Sequence, residues 1–192
     1  MTPQDVLDFW FLPAGSAGHG EPRAQWFRKD DAFDASIKQR FGALVEQAVA
    51  GGLRDWDQLG PHGALARIVL LDQFTRNAYR GKPESFGGDA LALAAAQQLV
   101  DTGDHLQLMP VQRWFAYLPF EHAEDARMQQ QSVALFRALA QANPGYDEVL
   151  DYAHRHCGVI ARCGRFPHRN AILGRTSTLD EIDYLAQPGS GF

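Results

Sequence analysis

Three clusters in this sequence hold the residues best equipped for chemistry. The densest is Arg162-Cys163-Gly164-Arg165-Phe166-Pro167-His168-Arg169-Asn170, with Arg175 just beyond. Gly164 and Pro167 shape it as a loop, and loops set on a rigid scaffold often carry function. A guanidinium group binds carboxylate or phosphate through a planar fork. Arg165, Arg169 and Asn170 are therefore expected to hold an anionic ligand, with His168 as an acid or base near neutral pH. The competing reading makes the same arginines braces, paired with acids on neighbouring helices.

The second cluster is Leu71-Asp72-Gln73-Phe74-Thr75-Arg76-Asn77-Ala78-Tyr79-Arg80. Asp72 and Arg76 stand one helical turn apart and can pair. They follow Ile68-Val69-Leu70-Leu71, an apolar run that should be buried, so the polar side chains after it need partners or a ligand. The third cluster, Glu121-His122-Ala123-Glu124-Asp125, stands at a helix start, where acids complement the helix dipole. Its functional alternative is a general base or a carboxylate–histidine pair. His122 and Asp125 could begin a metal site, but no motif supplies the remaining ligands at the usual spacing, and no metal is expected. His154 and His156 lie two apart on a helix and cannot easily share one ion. His154, one turn from Leu150, reads as an inward-facing core histidine. No phosphate-cradling loop, dinucleotide fingerprint, nucleophile elbow or zinc-protease motif occurs, so no cofactor is expected.

Taken together, these clusters suggest a small-molecule site. Asp72, His122, Glu124 and His168 are the catalytic candidates; Arg76, Asn77, Arg165, Arg169 and Asn170 are the substrate-binding ones. The chemistry would be hydrolysis or transfer on a phosphate or carboxylate compound. The alternative is a non-enzymatic helical module that binds a protein or peptide, with Trp26, Trp56 or Trp114 lining its groove.

The elements that must position these residues are helical. Thr2-Pro3-Gln4-Asp5 is a helix start, and Val6, Leu7, Trp10 and Phe11 share its inner face. Phe33, Ile37, Phe41, Leu44 and Ala48 recur at helical spacing from Asp30 to Ala50. Further helices are predicted over Gly63–Arg76, Asp89–Val100, a short stretch before Pro119, Glu124–Asn143 and Tyr146 to about Arg162. Thr178-Leu179-Asp180-Glu181 opens a last helix as a capping box, with Ile182 and Leu185 predicted to face inward. No segment alternates with a period of two for long enough to be a strand. The expectation is an all-α chain, one domain over residues 1–192, built from about eight or nine antiparallel helices.

With 192 residues and 45% hydrophobic content, the chain can bury a sizeable core. Its net charge of −5 argues against broad nucleic-acid binding, which needs a basic surface. Two cysteines are too few for a disulfide framework, the N-terminal stretch carries acids where a signal peptide carries bases, and no run is long enough to span a bilayer. A cytoplasmic protein without a membrane partner is expected.

The segments VLDFWF, LDQFTRNAYRG, YLPFEHAEDARMQQQSV and RCGRFPHRNAILGRTST resemble the DUF924 family, in order and over nearly the whole chain. The resemblance implies a tetratricopeptide-like all-helical fold and carries no activity with it. It places Asp72, Arg76, Asn77, His122, Arg165, His168, Arg169 and Asn170 in the family's signature segments. Thr75 and Cys163 depart from the family, which usually has Pro and Phe there.

Overall fold

A computed structural model describes residues 1–191. Helix α1 (Pro3–Phe11) starts as its sequence dictates. The Thr2 hydroxyl accepts from the Asp5 N–H while the Asp5 carboxylate accepts from the Thr2 N–H. Helix α2 (Asp31–Val49) is capped by the Asp30 side chain. Helix α3 (Pro61–Ile68) runs on through a π-helical turn (Val69–Phe74) into the short α4 (Thr75–Ala78). Then come α5 (Asp89–Asp101), α6 (Pro110–Glu121), α7 (Ala126–Ala142), α8 (Asp147–Cys163) and α9 (Leu179–Leu185). Among the described residues the chain is all-helical, with nine α-helices and no strand.

The chain forms two compact units: residues 1–80 with 84–119, and residues 81–83 with the segment from 120 onward. The first has an aromatic core. Trp10, Phe11, Phe41, Phe74 and Phe115 are essentially inaccessible to solvent. Trp26 packs into them with its ring centroid 4.6 Å from that of Phe115, and its Nε1–H donates to the Trp10 carbonyl. Trp26 and Trp56 are thus core residues. Trp114 is half-buried and stacks on the exposed ring of Phe27, centroids 5.0 Å apart.

The expected helix over Gly63–Arg76 is interrupted by the π turn, whose six residues are all buried. One extra residue per turn changes the helix phase there, so a 3.6-residue pattern cannot describe the run. Gly88 makes this packing possible: a Cβ on it would lie 2.1 Å from the Leu71 carbonyl oxygen.

In the second unit α7 and α8 pack side by side, and Val159, Ile160 and Phe166 form a core against which Tyr184 rests. Three sequence expectations fail in detail. Helix α6 continues through Pro119 to Glu121 instead of ending before the proline, which gives up the bond that an N–H at 119 would donate to the Phe115 carbonyl. On α8, His154 is exposed and His156 is buried, because Val149, Ala153, His156 and Ile160 share the inner face. On α9, Ile182 and Leu185 are exposed, whereas Glu181 is only 2% exposed. Its partners, described below, turn that face inward.

Candidate functional site

The second unit gathers imidazole and guanidinium groups around Phe166. That ring is fully buried where the chain leaves α8 through Gly164, whose φ of 72° suits glycine. The His156 ring stands edge-on to Phe166 at 5.5 Å, and the His168 ring lies 5.6 Å from it on the following turn. The Arg169 guanidinium sits over the same ring, 4.7 Å from its centroid. His122 is brought in by the end of α6, its ring 6.3 Å from that of His156.

Two side chains fix that helix end. The Gln129 amide on α7 donates to the carbonyls of Phe120, Glu121 and Ala123, and Arg169 Nη2 donates to the carbonyl between them, that of His122. Orphan carbonyls at a helix C-terminus attract donors and positive charge, so Arg169 is in part a helix cap. His156 Nδ1 lies 2.9 Å from the Tyr152 carbonyl and 3.2 Å from Glu121 Oε1. Both are acceptors, so the neutral ring carries its proton on Nδ1. Burial pushes the His156 pKa down to about 3; the Tyr152 carbonyl opposes this, and the charges of His122, His168 and Arg169 add to the depression.

The other polar residues of the loop form a closed network. Arg165 meets the Glu181 carboxylate through two nitrogens, at 2.6 and 2.8 Å, and donates to the Thr176 carbonyl. Arg165, together with the Thr178 N–H and Asn170, holds the Glu181 carboxyl at a pKa of about 2. Arg175 grips Glu124 at 2.7 and 2.9 Å, and Glu124 also accepts from the Phe166 N–H. Partial burial acts to raise Glu124, but Arg175 and that N–H hold it below the usual carboxylate range. Asn170 binds Ser177 and Glu181 through its amide nitrogen and Arg175 through its oxygen.

Asp72, Arg76 and Asn77 lie in the first unit, and each is engaged there. Arg76 Nη1 lies 3.0 Å from Asp72 Oδ1 and 2.9 Å from Asp89 Oδ1; the Asp72 carboxylate also accepts from Gln73. Burial works against the Arg76 charge, but the two acids outweigh it and raise its pKa. Asn77 donates to Asp34, which also binds Arg80. The pairing of Asp72 with Arg76, expected from spacing, is present and buried. No group of three or more His, Cys, Asp or Glu side chains among the described residues is placed to hold a metal ion. No helix among them is long and apolar enough to cross a membrane. Cys157 and Cys163 are free thiols.

Residues 6–189 match the model of a bacterial protein family of unknown function, DUF924. The chain belongs to this family. It is also similar to a solved structure, a protein of unknown function from Agrobacterium tumefaciens, with 36% identity, 96% of each chain covered and a TM-score of 0.82. Among curated proteins none matches.

Of the residues brought together here, sequence reasoning had named His122, His168 and Arg169 as site candidates and had not named His156, Glu121 or Gln129 as such. His156 was legible: Val149, Ala153, His156 and Ile160 are spaced 4, 3 and 4 apart, the spacing of an inner helical face. Gln129 had no such signal, because its role depends on carbonyls six to nine residues earlier in the chain.

Proposed function

We propose that the second unit binds a small anionic compound, phosphate or carboxylate, at the cluster of His122, His168 and Arg169, and acts on it by hydrolysis or group transfer. The observation that carries this reading is the gathering of three imidazoles and a guanidinium around one buried ring. In such a cluster Arg169 carries the positive charge and His122 and His168 can add to it by taking up protons, and an anion is the ligand that would relieve it where water is scarce. His122 and His168, both half-buried, are the acid–base groups; His156, buried and neutral, supports them. Arg165, Asn170 and Glu124 shape the loop, since their hydrogen-bonding groups are engaged by one another and by Glu181 and Arg175. The anionic ligand would be held by Arg169.

A thermal-shift titration with inorganic phosphate, phenyl phosphate and acetate at matched ionic strength tests this. A ligand at about 100 times its dissociation constant stabilises by roughly 2.7 kcal/mol, several degrees for a protein of this size. The shift should disappear in His168→Gln and weaken in Arg169→Lys, which keeps the charge and loses the fork. If none of the three anions stabilises wild type, the reading is wrong.

A second reading is favoured by the pairings of Arg165 with Glu181 and Arg175 with Glu124. In it the loop is a brace and the protein a non-enzymatic helical module that binds a protein or peptide partner. It predicts that Arg165→Ala loses stability and that no anion shift exists to lose.

A further inference from the structure

A second candidate site lies in the first unit. A cleft of about 220 Å³ opens where the end of α1, the glycine-rich segment after it and the first turns of α3 and α6 come together. Leu7, Phe11, Leu12, Ala14 and Met109 give it apolar walls, and Gln4, Asp8, His19, His62 and Gln112 border it with polar groups. Its volume suits a compound of few heavy atoms, below the usual range for drug-sized ligands.

The polar groups have capacity to spare. Asp8 accepts from Gln4 on Oδ1, and Oδ2 takes no hydrogen bond among the described residues. His19 Nδ1 lies 2.7 Å from the Leu12 carbonyl, so it carries the proton and leaves Nε2 as an acceptor in the neutral ring. Gln112 is only 4% exposed; its Oε1 accepts from the Met109 N–H, and its amide nitrogen donates to no described residue. The His62 side chain makes no hydrogen bond or ion pair among them. The border therefore offers a carboxylate oxygen and imidazole nitrogens of His19 and His62 as acceptors, the Gln112 amide and a His62 N–H as donors, and no lysine or arginine. One wall is also strained. Leu12 has φ 69° and ψ 153°, a region nearly reserved for glycine, and the residue after it is Pro13. Backbone strain of this kind concentrates at binding sites, where the surrounding structure enforces it.

We propose that this cleft binds a small organic ammonium ion with an apolar body, its N–H groups on Asp8 Oδ2 and His19 Nε2 and its carbon chain against Phe11, Leu12 and Met109. The first turns of α3 and α6 carry partial positive charge and would favour an anion instead, so the test includes one. Uniformly ¹⁵N-labelled full-length protein is titrated with n-butylammonium chloride, 1-butanol and sodium butyrate at constant ionic strength. The shifts of the Gln112 side-chain amide and the His19 and His62 rings are followed. Butylammonium is expected to give saturable shifts confined to these groups, with butanol and butyrate about tenfold weaker or worse. Asp8→Asn, which can still accept from Gln4, should weaken butylammonium by a similar factor. Unsaturable or scattered shifts, tighter binding of butyrate, or undiminished binding by a folded Asp8→Asn would each overturn the proposal. The wild-type comparison of the three probes decides the matter even if that variant does not fold.

Discussion

Buried His156 makes a quantitative prediction. Its pKa is about 3 in the folded protein, against 6.5 for the ordinary side chain, with burial the largest cause. Above pH 6.5 both states hold the ring neutral and no penalty arises. Below it the unfolded chain takes up a proton that the native protein refuses, so stability falls as pH drops from 6.5 toward 3. At about pH 5 the loss from this one group is roughly 2 kcal/mol, from 1.36 kcal/mol per pH unit over the interval below 6.5. For a chain of this length that is on the order of 4–8 °C in melting temperature. Glu121, His122, His168 and Arg169 surround the ring and titrate or carry charge themselves, so wild type alone cannot isolate the effect. His156→Asn can, because its amide keeps a donor near the Tyr152 carbonyl and has no proton to take up. Urea denaturation of both proteins at about pH 7.5 and about pH 5 should show wild type losing roughly 2 kcal/mol more than the variant. Equal losses, or a His156 ring resonance that titrates near 6.5, would refute the reasoning.

Three further outcomes follow from local geometry. Gly88→Ala should cost about 3 kcal/mol or more by denaturation, since its Cβ would meet the Leu71 carbonyl in the π turn; Gly42→Ala in α2, with nothing within 4 Å, should instead stabilise by about 0.5–1 kcal/mol. Leu12→Gly should be more stable than Leu12→Ala by about 1–3 kcal/mol, reversing the usual order, because only glycine relieves the strain at φ 69°. Gln129→Leu removes the donor to three carbonyls at the end of α6 and should cost about 2–4 kcal/mol; native-state hydrogen exchange should rise first at the turn carrying His122.

Local signals carried most of the fold. Thr2 with Asp5 and Thr178 with Glu181 form the capping boxes their spacing announces. Of the apolar positions read on α2, Ile37, Phe41 and Ala48 are in the core, whereas Phe33 and Leu44 are half-buried and Val45 is buried beside Leu44. What failed had competition from residues distant in sequence. Apolar content argued for Ile182 and Leu185 inside α9, yet Arg165 and Asn170 claim Glu181, and two charge-assisted contacts outweigh exposing two aliphatic side chains on a short helix. The Arg loop was recognised as the densest polar segment. Which of its arginines would meet carboxylates was not readable, because Glu124 stands 51 residues from Arg175. Within the candidate site the sequence marked two of the three histidines and could not foresee that Phe166 would be the ring they share.

The π turn between α3 and α4 decides which changes of length this stretch of chain can absorb. A single π turn holds one residue more than an α turn needs, and the widened turn takes it up while the helix beyond keeps its direction. Deleting one residue between Val69 and Phe74 would therefore let the backbone close into an ordinary α-helix with Arg76 still aimed at Asp89 and Asn77 at Asp34. The cost would fall on the buried side chains inside the turn. A further residue would find that slack already used, and each residue of an α-helix turns the side chains after it by about 100°, so an insertion would swing both polar groups off their partners on α5 and α2. The run is built with one link of slack: it can lose a residue more cheaply than it can gain one.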